Sequence, residues 1–170
     1  MKKSDSVFFE LTKVEIVIIF IYYFLILFVG GVISINTICT LDDELTRNQL
    51  MIKSIISSLS VSGMLCSLQY TKRLYKACIT DRILPITTFA GRIGNLAYFL
   101  LRSFFAFVFV IVMIFALLSG MFVVTGNLDY IINEKFLYLC VILSSFIGFS
   151  VGQLLDKFER ISEEKIGDMK

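Results

Sequence analysis

No charged residue interrupts the chain between Ser103 and Val124, a run made almost wholly of Phe, Val, Ile, Leu and Met. At the 1.5 Å rise of an α-helix such a run is about 33 Å long, enough to cross a hydrocarbon layer about 30 Å thick. Two further runs, Ile16–Ile35 and Phe136–Leu155, share that character. A buried soluble core has no use for three helices apolar on every side, so these runs predict membrane spans.

A fourth span is less apolar. Ser54–Tyr70 contains Ser54, Ser57, Ser58, Ser60, Ser62, Ser67 and Gly63, yet no ionised side chain stands between Lys53 and Lys72. Its backbone can cross lipid only with its hydrogen bonds made internally, as in a helix. Serine then suits a place inside the bundle. The expected fold is an all-α integral membrane protein, a single four-helix transmembrane bundle over residues 1–170. Composition agrees, with 57% hydrophobic and 18% charged residues against about 25% charged in soluble domains. The lysines at positions 2, 3 and 13 ahead of the first run mimic a signal peptide. That run, however, is longer than a signal core and lacks a small-x-small cleavage site, so it is expected to remain as a span.

Orientation follows from the basic residues. Twelve of the 16 fall in the N-terminal tail, the segment after the second span and the C-terminal tail, and only Arg47 and Lys135 fall in the other two connections. Because positive segments stay on the cytoplasmic side, both termini are expected there. Lys53 and Arg102 stand at span edges, where a long stem carries the charge to the headgroups. The localisation this implies is the inner membrane of a bacterium, the bacterial part resting on small size and simplicity alone.

Local signals refine the picture. The acidic run Asp42–Glu44 is placed outside, with Thr40 and Asp43 resembling a capping box that starts a helix near Leu41. With no proline before Pro85, that second helix is expected to run to about Thr80 and to project well beyond the bilayer. Pro85, Gly91 and Gly94 predict a turn and a short helix on the inner surface before the third span.

The candidate functional residues form three groups. In the fourth span Ser144, Gly148 and Gly152 recur every four positions, a ladder of small residues that lets a neighbouring backbone approach closely. In the second span Ser54, Ser58 and Ser62 share one face and would either pack centrally or line a narrow polar path in an oligomer. Lys72, Arg73, Lys76 and Arg82 form a basic inner surface suited to anionic headgroups. Tyr70 and Tyr75 among these charges would suit nucleotide stacking, but that pattern is too common to be specific, and no nucleic-acid partner is expected.

Catalysis finds no support. The chain has no histidine to serve as a base, and Lys53 beside Ser54 or Ser57 is better read as packing at a lipid boundary. Gly91–Gly94 is neither a phosphate loop nor a dinucleotide fingerprint. Cys39, Cys66, Cys78 and Cys140 stand far apart, as reduced structural cysteines do. Neither metal nor cofactor is expected.

The first functional expectation is an oligomeric, channel-like or membrane-perturbing module answering a cytoplasmic partner. No charge lies mid-membrane, which argues against a proton-coupled carrier. In span count and topology, though in no motif, the chain also resembles small four-span bacterial immunity and exclusion proteins. That likeness implies a non-conducting protein that recognises another membrane protein. An accessory subunit of a larger membrane complex is the third expectation.

Overall fold

The computed structural model describes residues 9–40, 46–80, 83–84, 89–125 and 132–167. Four helices carry the fold: α1 (Lys13–Cys39), α2 (Arg47–Ile79), α3 (Phe89–Thr125) and α4 (Glu134–Gly167). All four are long and apolar enough to cross a membrane, and each apolar run of the sequence lies inside one of them.

Named contacts give the helix directions. Lys53 near the start of α2 donates to the Thr40 carbonyl at the end of α1, whereas Tyr23 of α1 stacks on Tyr70 further along α2. These two helices are therefore antiparallel. Gly148 packs on Ser62 and Gly152 on Tyr70, so α4 runs parallel to α2. Phe99 lies by Tyr70 and Phe107 by Gly63, so α3 opposes α2. The start of α1, the end of α2, the start of α3 and the end of the apolar part of α4 consequently meet at one end of the bundle.

The helix α2 is central and touches the other three, while α1 and α3 scarcely meet. Its composition explains why. Ser54, Ser58, Ser62, Cys66, Tyr70 and Leu74 recur every four residues along its buried stripe, whereas Ile52, Ile56 and Leu68 point outwards. Small inward side chains let three neighbours approach, and apolar outward ones suit lipid. On α1 the outer face is apolar throughout, with Val14, Ile18, Phe24, Phe28 and Ile35 all exposed. That much exposed apolar surface accompanies helices long and apolar enough to cross a membrane.

Two buried clusters close the ends of the bundle. Ile19, Tyr23, Cys66, Tyr70, Leu74 and Phe99 belong to one, and Val110, Ile114, Phe136 and Cys140 to the other. None of the four cysteines is in a disulfide; Cys39 is exposed, and Cys66 and Cys140 are buried.

Several local expectations are corrected. Thr40 does not start α2. Its amide donates to the Asn36 carbonyl and it ends α1, while Thr46 caps α2 with Gln49 completing the box. Asp42–Glu44 lie outside the described residues. From Arg47 to Ile79, 33 residues or about 50 Å, α2 is unbroken at Gly63 and Tyr70 and exceeds the hydrocarbon thickness. The separate surface helix before the third span does not form. Phe89 already belongs to α3, which runs 37 residues through Gly91 and Gly94. Each glycine costs a helix only about 1 kcal/mol, less than a continuous hydrogen-bond ladder returns at a membrane surface. An unexpected two-residue parallel pairing joins β1 (Phe9–Glu10) to β2 (Ile83–Leu84) and ties the N-terminal segment to the stretch before α3.

Candidate functional site

The basic end of the bundle gathers the chemistry. Tyr70 on α2 is fully buried, its ring stacked at 6.3 Å on Tyr23 and edge-on at 5.9 Å to Tyr98 and 6.5 Å to Phe99. Offset and edge-to-face aromatic pairs at such spacings are favourable beyond their burial. The Tyr23 hydroxyl donates to the Phe99 carbonyl, and that of Tyr22 donates at 3.4 Å to Leu100. These two bonds join α1 to α3, which otherwise have little contact.

Two guanidiniums flank this aromatic group. Arg73, one turn beyond Tyr70, has its Cζ 5.2 Å from the Tyr70 ring centre and donates to the Tyr98 hydroxyl at 3.0 Å. Arg102 on α3 has its Cζ 4.5 Å from the Tyr98 ring centre and 5.8 Å from that of Tyr70. Cations over ring faces are held by the ring quadrupole, more strongly when desolvated. The Arg102 side chain is only 12% exposed, yet its anionic partner is weak. Asp156 lies 3.7 Å away and is 69% exposed, and the Gly152 carbonyl accepts at 3.4 Å.

Gly152 shapes the site. A Cβ there would stand 2.6 Å from the Tyr70 hydroxyl, 3.5 Å from Nη1 of Arg102 and 3.6 Å from Nη1 of Arg73. Three donors thus converge on one bare stretch of α4. The Tyr70 hydroxyl is buried and has no hydrogen-bond partner among the described residues.

Nearby, Glu15 caps α1. Its carboxylate accepts from the Thr12 amide at 2.8 Å and from Nε of Arg92 at 2.5 Å, which adds an ion pair between the first turns of α1 and α3. At the opposite end Lys53 reaches the hydroxyl of Thr40 at 3.1 Å as well as its carbonyl, placing a cation at the negative end of α1. Both span-edge cations therefore find partners within the chain.

Of the residues singled out by sequence, Ser54, Ser58, Ser62 and Ser144 are buried within the bundle, and Gly148 and Gly152 pack against α2. A Cβ on Gly148 would lie 2.6 Å from the Ser62 carbonyl oxygen. The structure thus brings Ser62 and Gly148 together in one seam and sets Gly152 of the same ladder beside Arg73 of the basic group. Ser54 and Ser144 bond back to their own helices, at Leu50 and Val141, whereas the hydroxyls of Ser58, Ser62 and Ser67 have no hydrogen-bond partner among the described residues. Lys72, Arg73 and Lys76 are exposed on the last turns of α2, and Arg82 lies outside the described residues. Sequence reasoning missed Tyr23, Tyr98 and Asp156 and the partners of Arg102. It also missed the Thr12-x-x-Glu15 pattern, which was readable as a capping box.

A concavity of about 600 Å³ runs over α2 between α1 and α3, lined by apolar residues such as Ile26, Val29, Phe107 and Ile111.

Comparison with models of known protein families, with characterised proteins and with solved structures finds no match.

Proposed function

We propose that this chain is a non-enzymatic protein of a bacterial inner membrane, both termini cytoplasmic, working as a homo-oligomeric, channel-like module that answers a cytoplasmic partner. One observation carries the reading. The unpartnered hydroxyls of Ser58, Ser62 and Ser67 lie buried inside a bundle whose outer surface is apolar. Each such group lacks the bond it would make in water, typically a penalty of about 1–3 kcal/mol. Entry of water along α2 would relieve it, which favours an opening along this helix. The seam with α4 is built on small residues, so a side chain added there wedges the two backbones apart directly. Four helices enclose little volume, and further copies supply it. Lys72, Arg73, Lys76 and Arg82 would then face anionic headgroups and the trigger, each basic residue near such a surface being worth about 1 kcal/mol.

Ion flux through vesicles holding the purified protein tests this. A wedge in the seam, Gly148→Ala, is expected to raise flux above that of the unaltered chain. Vesicles equally tight with either protein contradict the channel reading.

The second reading, a non-conducting protein that recognises another membrane protein as immunity or exclusion factors do, is favoured by the close Gly148–Ser62 contact, which seals the serine face within one protomer. It predicts tight vesicles together with co-purification of one membrane partner.

A further inference from the structure

We infer that Arg73 and Arg102, with the Tyr70 hydroxyl beneath them, form a binding site for a phosphate group, which takes the place now held loosely by Asp156. The proposal deepens the reading above by giving its cytoplasmic trigger a chemistry, and it rests on that reading only for the side of the membrane concerned.

Charge balance is the first argument. Two guanidiniums stand against the same aromatic ring, and among the described residues the carboxylate they meet is Asp156, 3.7 Å from one of them and largely in solvent. A carboxylate at that distance makes no proper hydrogen bond. The Arg102 cation, only 12% exposed, is therefore under-compensated, which is costly in a desolvated place. A phosphate carries more charge than a carboxylate and offers oxygens in the geometry that guanidinium forks match.

Donor geometry is the second. Nη1 of Arg73, Nη1 of Arg102 and the Tyr70 hydroxyl all lie within 3.6 Å of the position a Cβ on residue 152 would occupy, and residue 152 is glycine. The Tyr70 oxygen has no hydrogen-bond partner although it is buried. Groups of that kind normally find partners, so its isolation beside two cations points to a ligand. Three donors from two helices face the backbone of a third so closely that a methyl group would not fit at residue 152, so they would gather around one anion as that end of α4 moves aside.

Exchange of Asp156 for phosphate has a mechanical consequence. Asp156 and Gly152 are the α4 groups that Arg102 of α3 holds. A phosphate drawing Arg102 towards Arg73 and α2 would release that end of α4, the helix whose seam with α2 covers Ser62.

The phosphate can belong to an anionic lipid headgroup or to a soluble ester, and one experiment separates them. The full chain is placed in nanodiscs of a galactosyl diacylglycerol, which carries no phosphate, and its thermal midpoint followed against inorganic pyrophosphate; parallel discs contain phosphatidylglycerol without pyrophosphate. A saturable rise with pyrophosphate assigns a soluble source, and a rise only with phosphatidylglycerol assigns a lipid. In either case Arg102→Gln and Arg73→Gln should each weaken binding about tenfold, the usual scale for one charge-assisted hydrogen bond. Asp156→Asn, which removes the competitor and leaves the cations intact, should tighten it. No rise in either arm overturns the site, as does a rise that both arginine variants retain. Unchanged or weaker binding by Asp156→Asn also overturns it, even if the arginine variants fail to fold. Ion flux is not measured here, so failure of the site and failure of the channel reading are separately visible.

Discussion

Gly148 of α4 rests so closely on Ser62 of α2 that a methyl group at position 148 would lie 2.6 Å from the Ser62 carbonyl oxygen and 3.1 Å from its Cα. Backbone cannot yield as a side-chain tip does, so Gly148→Ala should lower stability in detergent by about 1–3 kcal/mol, the usual range for overpacking. Gly94→Ala is the control. Nothing lies within 4 Å of its Cβ position, and removing a helical glycine should stabilise α3 by about 0.5–1 kcal/mol. Thermal unfolding of the two variants should move in opposite directions; movement of both the same way would remove the seam from the account.

The buried serines should behave unlike ordinary polar core residues. The hydroxyl of Ser58 has no hydrogen-bond partner, whereas that of Ser54 bonds to the Leu50 carbonyl at 2.8 Å. Ser58→Ala is accordingly expected to leave stability unchanged or raise it by up to about 1 kcal/mol, since it deletes an unsatisfied group and little volume. A loss above that size in the unfolding midpoint would mean that Ser58 has a partner in the membrane.

Much of this arrangement was legible in the chain. Charge-free runs marked all four long helices, and even the serine-crowded one was readable because Lys53 and Lys72 bracket it. The periodic glycines of α4 announced a close contact; which helix it met was a tertiary matter. Pro85, Gly91 and Gly94 misled, because glycine reads as a turn signal in water but is tolerated within a helix whose ladder must stay closed beside lipid. The convergence of Tyr23, Tyr70, Tyr98 and Arg102 was not readable. These residues come from three helices, and no spacing along one helix reports how three of them cross.

Glu15 serves two partners, and they should separate by mutation. Its capping bonds to Thr12 are worth about 1 kcal/mol, whereas the ion pair with Arg92, whose side chain is 45% exposed, is screened and worth less than about 1 kcal/mol. Glu15→Ala should therefore destabilise by about 1–2 kcal/mol and Arg92→Gln by a fraction of that. A double-mutant cycle read by chemical unfolding checks this, and an Arg92→Gln loss as large as that of Glu15→Ala would contradict it.

Tyr23→Phe removes only the hydroxyl that donates to the Phe99 carbonyl. With few other contacts between α1 and α3, a loss of about 1 kcal/mol is expected, and proteolysis should cut near Thr12 more readily. An unchanged cleavage rate and unfolding midpoint would show that this link is not what holds α1 in place.

The native cysteines test the whole arrangement without new reporters. Cys39 is exposed at the end of α1 remote from the arginine cluster, Cys78 is half-buried near the end of α2 beside it, and Cys66 and Cys140 are buried. If the cluster faces the cytoplasm, a membrane-impermeant maleimide added to intact cells should label the chain, Cys39→Ser should abolish the label, and Cys78 should react only after permeabilisation. Labelling of intact cells that survives in Cys39→Ser and is lost in Cys78→Ser would place the arginine cluster outside and contradict the account.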